Sequence, residues 1–74
     1  MSDWRVWGRV EHIGVRQFIA IASAVPEAPE DRAIVLTSIA PSLAEANTAK
    51  ARLVVEMGAR VRSNGDRVVD VEAD

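Results

Sequence analysis

Seventy-four residues, no cysteine and a formal charge of −2 bound this protein closely. A chain this short forms one domain and buries only about 60% of its unfolded surface, so its core is thin. No disulfide can staple that core, no thiolate can bind metal or attack a substrate, and the faintly acidic balance weighs against a general nucleic-acid or membrane binder.

From the N-terminus, Met1-Ser2-Asp3-Trp4-Arg5 lacks the basic start and apolar run of a signal peptide. Residues 4–12 then alternate. Trp4, Val6, Val10 and His12 fall on one side, and Arg5, Trp7, Arg9 and Glu11 on the other, which is the period of a strand. Gly8 in its middle predicts a bulge or a close backbone approach. Ile13-Gly14-Val15 reads as a hairpin connection into a second strand, Arg16 to Val25. That strand is apolar on both sides, with Phe18, Ala20, Ala22 and Ala24 on one and Ile19, Ile21 and Val25 on the other. Ser23 interrupts its apolar run, which is far short of the roughly 20 residues a membrane span needs. Pro26 to Arg32, with two prolines and three carboxylates, reads as a loop. A third strand follows, Ala33 to Ile39, again apolar on both sides.

The only long helical pattern starts after Pro41. Ser42 and Glu45 have capping-box spacing: the hydroxyl takes one orphan N–H and the carboxylate reaches back for another. Gly58 stands where a left-handed C-cap would fall. Leu43, Ala46, Ala49, Leu53, Val54 and Met57 make one apolar face at 100° per residue, with the stem of Lys50 on it and its ammonium in water. Ala44, Thr48, Ala51 and Val55 form a narrower stripe, read as good helix formers or as a seam for another helix. After Gly58, Asn64-Gly65 between alternating segments predicts a hairpin turn into a last strand, Asp66 to Glu72. Residues 59–63 are either a short extra strand or the helix's exit. The expectation is a single α+β domain over 1–74: an antiparallel sheet of three to five strands in the order β-β-β-α-β, with one helix on one face.

One helix covers one face of a sheet, yet the second and third strands are apolar on both faces. A strand apolar on both sides is normally buried on both. The long N-terminal strand folding over, a second copy of the chain or a target protein could cover the far face, and a homodimer or partner interface is the expectation.

Chemistry is harder to find. His12 is the single histidine, and no partner for it as a general base can be named. Ser23, Ser38, Ser42 and Ser63 stand in no nucleophile-elbow context. Glu27, Glu30 and Asp31 read as a solvated loop. Asp66, Asp70, Glu72 and Asp74 read as edge protection on a terminal strand rather than as metal ligands. No catalytic, cofactor or metal site is expected. Two surfaces are candidates for binding. Arg5, Trp7 and Arg9 share one strand face, the composition of an interface hot spot. Arg60, Arg62 and Arg67 surround the Asn64-Gly65 turn and could touch phosphates, though Asp66, Asp70 and Glu72 oppose an anionic ligand.

In size and element order the chain resembles the short accessory proteins of phages and mobile elements, anti-CRISPR inhibitors among them. That resemblance implies a non-catalytic inhibitor that binds a protein partner stoichiometrically, and the missing signal-peptide and membrane-span patterns make a cytoplasmic location the expectation. The alternative is a nucleic-acid-binding accessory module built on Arg60, Arg62, Arg67 and Trp7. No membrane contact is expected.

Overall fold

The computed structural model describes residues 2–28 and 32–73, leaving aside the side chain of Ala73. The chain runs β1 (Asp3–Gly14), β2 (Gln17–Pro26), β3 (Ile34–Ala40), α1 (Leu43–Ser63) and β4 (Arg67–Ala73). The strands form one sheet in the order β3-β2-β1-β4, with α1 packed on it, which is the expected α+β arrangement. The β1–β2 and β2–β3 pairs are antiparallel, whereas β4 joins β1 in parallel. The sheet is therefore mixed, and α1 explains why. It carries the chain back the length of the sheet after β3, so β4 sets out in the direction of β3 and β1.

The β1–β2 connection is tighter than predicted. Gly14 pairs with Gln17, leaving Val15 and Arg16 as the turn, and Arg16 takes a left-handed φ of 53°. The register slips between His12 and Gly14, so the irregularity lies near the tip and not at Gly8. His12 stacks on Phe18 across the pair, with ring centroids 4.6 Å apart. β4 pairs with β1 only along Asp3 to Gly8, so the hairpin runs on past it. The radius of gyration, 12.9 Å, exceeds the roughly 11 Å of a compact chain of this length accordingly.

Ser42 caps α1 with an extended backbone, and its Oγ accepts the Glu45 N–H at 3.2 Å. The carboxylate closes the box differently than predicted: it accepts the Ser42 hydroxyl at 3.1 Å. The helix does not stop at Gly58. Val61 lies four residues beyond Met57 and continues the buried stripe at 1% exposure. Burying it outweighs the roughly 1 kcal/mol that glycine costs inside a helix. The stop comes at Asn64-Gly65, where Gly65 has a φ of 84°. Gly65 N–H donates to Arg62 O (3.0 Å) and Asp66 N–H to Val61 O (3.2 Å), a Schellman closure. Asn64-Gly65 is thus a helix end and not a hairpin turn, and residues 59–63 are the helix's last turns. A hairpin turn and a helix cap both need positive φ, and only the partner of the next strand separates them.

Ala46, Ala49, Lys50, Leu53, Val54, Met57, Gly58 and Val61 face the sheet. Leu43, expected among them, is the first residue of α1 and is exposed. Opposite lie Trp4, Val6, Ala20, Ala22 and Ala24, flanked by Val10, Ile34, Leu36 and Val68. The close approach predicted at Gly8 is real: a Cβ there would lie 2.6 Å from Val54 Cγ2 and 2.9 Å from Lys50 Cγ. Glycine at 8 and alanines at 20, 22 and 24 let the helix settle onto the strands. Trp4 Nε1 is the one buried side-chain nitrogen or oxygen without a partner among the described residues.

Candidate functional site

The side of the sheet away from α1 carries the candidate site. Pairing registers arrange it in rows across the strands. Val35 of β3, Ser23 of β2, Trp7 of β1 and Glu72 of β4 form one row. Toward the hairpin tip the rows are Thr37, Ile21, Arg9 and then Ile39, Ile19, Glu11. On the other side of Trp7 lie Val25, Arg5, Asp70 and then Asp3, Arg67. The face therefore changes character across its width. β3 and β2 supply aliphatic side chains, β1 supplies Arg-Trp-Arg, and β4 supplies carboxylates.

On β2, side-chain size is sorted the opposite way from an isolated sheet-and-helix domain. β2 gives the helix Ala20, Ala22 and Ala24, each wholly buried, and turns Ile19, Ile21 and Val25 outward. β3 turns out Val35 and Ile39, 58% and 66% exposed. Trp7 stands beside them at 37% exposure, while Trp4, three residues earlier on the covered side, is 6% exposed. Removing apolar area from water is the main driving force of folding, and here the larger aliphatics of β2 are left only partly buried while its alanines are wholly covered.

The charges on this face are partly tied. Arg9 Nη2 lies 3.5 Å from Glu11 Oε1. Arg67 clasps Asp3 with a two-pronged hydrogen bond, Nε and Nη2 each at 3.1 Å from a carboxylate oxygen. That hydrogen bond, followed by the Asp3 charge, holds the Arg67 guanidinium above its ordinary pKa. Arg5 is paired in register with Asp70 and Val25.

The two predicted binding groups fare differently. Arg5, Trp7 and Arg9 do share the open face. Arg60, Arg62 and Arg67 form no hairpin tip: the first two sit in the last turn of α1, where cations complement the helix dipole. Arg60 faces Glu56 at 3.5 Å, one turn back. The parallel register moves Arg67 to the end of the open face. Ile19, Ile21, Val25, Val35 and Ile39 complete that face. Their signal in the sequence is the apolar character of the second and third strands on both sides.

No three of His, Asp and Glu stand close enough to hold a metal ion among the described residues. Pro29, Glu30, Asp31 and Asp74 lie outside those residues. The narrow stripe of Ala44, Thr48, Ala51 and Val55 is exposed, and beside it lies a shallow depression of about 240 Å³ lined by Ala44, Glu45, Thr48, Ala49 and Arg52. No helix among the described residues is long and apolar enough to cross a membrane. No protein-family model matches the chain, and no curated protein or solved structure matches it.

Proposed function

We propose that this chain is a non-catalytic binding protein that docks its open sheet face on another protein, one copy to one site. The observation that carries the reading is the inverted sorting on β2, with Ala20, Ala22 and Ala24 under the helix and Ile19, Ile21 and Val25 outside, beside Trp7 of β1. At about 3.3 Å per residue and about 4.8 Å between strands, the face measures about 23 by 19 Å. An apolar patch rimmed by charge is the usual mark of an interaction site. Trp7 between Arg5 and Arg9 gives it the residue types that dominate binding energy. The carboxylates of β4 beside those arginines favour a partner of mixed charge. They disfavour a phosphate backbone, and Arg60 and Arg67 already face carboxylates of their own. Stoichiometric inhibition of the kind used by phage accessory proteins fits such a surface.

The test is affinity capture with the wild-type chain beside Trp7→Ala, Arg9→Ala and Arg62→Ala. The proposal expects a bound protein retained by wild type and Arg62→Ala, lost from the other two, with all far-UV circular dichroism spectra alike. Capture that ignores Trp7 and Arg9, or capture of nucleic acid dependent on Arg62, would sink it.

A further inference from the structure

The two edges of the sheet are built differently. β4 carries Arg67, Asp70 and Glu72, and its register against β1 slips between Trp4 and Arg5, leaving Val69 as an extra residue. Charges and bulges of this kind keep an edge from pairing with another strand. β3 has neither. Ile34-Val35-Leu36-Thr37-Ser38-Ile39-Ala40 contains no charge, no proline and no glycine, and it pairs with β2 without a register shift. Among the described residues none of its backbone groups is hydrogen-bonded beyond β2. An uncharged, regular, β-branched edge is a template for one more strand.

We propose that this strand is β3 of a second copy, paired antiparallel about a two-fold axis through Thr37. The sequence is self-complementary in that register. Val35 meets the partner's Ile39, Thr37 meets the partner's Thr37, Leu36 meets the partner's Ser38 and Ile34 meets the partner's Ala40. No charge enters the ladder. Val35 and Ile39, both largely exposed in one copy, become cross-strand neighbours, and such β-branched pairs stabilise sheets. The pairing is isologous and closes at two, because it consumes both uncharged edges and leaves only the charged, bulged β4 at each end. A two-fold axis perpendicular to the sheet keeps both helices on one side. The open faces of the two copies then join into one eight-stranded surface, so the dimer leaves Trp7 accessible.

Sedimentation equilibrium of the full chain from low to high micromolar concentration tests this. The expected species is twice 8.0 kDa. Thr37→Lys places two ammonium groups opposite each other on the axis and should weaken dimerisation at least tenfold. Its circular dichroism should be unchanged, since Thr37 is exposed. Trp7→Ala should dimerise as wild type does. A wild-type monomer throughout that range overturns the proposal. So does a dimer that survives Thr37→Lys, or one that is lost in Trp7→Ala, which would mean that the copies meet through their open faces.

Discussion

The two faces of the sheet are made by the same strands and have opposite chemistry. On the covered face Gly8, Ala20, Ala22 and Ala24 keep the strands small where the helix lies closest, Trp4 and Val6 fill in beside them, and the helix adds Leu53, Val54, Met57 and Val61. On the open face the strands themselves supply the bulk, through Trp7, Ile19, Ile21, Val25, Val35 and Ile39. The covered face is finished within the chain. The open face has the residues of a core and nothing from this chain packed on it among the described elements. Two-sided apolar strands therefore do not require that both faces be buried within the chain.

Substitutions should separate the faces by what they break. The largest loss of stability is expected from Met57→Ala, which empties a wholly buried position and should cost about 2–5 kcal/mol. Leu53→Ala should fall in the same range. Urea unfolding with an unchanged slope would check both. Next comes Gly8→Val, whose first carbon already collides with Val54. Overpacking there should cost about 1–3 kcal/mol. A neutral Gly8→Val would mean that the helix does not sit as close to β1 as described. Gly65→Ala meets no neighbour, so its cost is purely that of the left-handed backbone, about 1–2 kcal/mol by thermal unfolding. Ser42→Ala should lose about 1 kcal/mol with the N-cap. Ile21→Thr on the open face should change stability least and binding most. A loss comparable to Met57→Ala would make the open face part of the monomer's own core.

Much of this arrangement can be read in the order of residues. Period-two alternation gives β1, and the apolar run broken by Pro26 gives β2. Ser42 with Glu45 marks the start of α1 to the residue. The helix end is less legible, because Gly58 offers a stop that tertiary burial of Val61 overrides. Asn64-Gly65 carries a true demand for positive φ but serves a Schellman closure. The parallel placement of β4 depends on where α1 delivers the chain, which no local pattern encodes. Nearness in sequence groups Arg67 with Arg60 and Arg62, whereas the register against Asp3 places it on the open face. Arg5, Trp7 and Arg9 were legible because alternation alone assigns them a common side.

The two tryptophans provide the most direct test, one on each face. Incorporating 5-fluorotryptophan into the wild-type chain gives two fluorine resonances, assigned with Trp7→Phe. Adding the captured protein should shift or broaden the Trp7 resonance and remove its sensitivity to solvent deuteration, while the buried Trp4 resonance stays in place. A complex in which the Trp7 resonance remains unchanged and solvent-sensitive would contradict the claim that the open face is the binding surface.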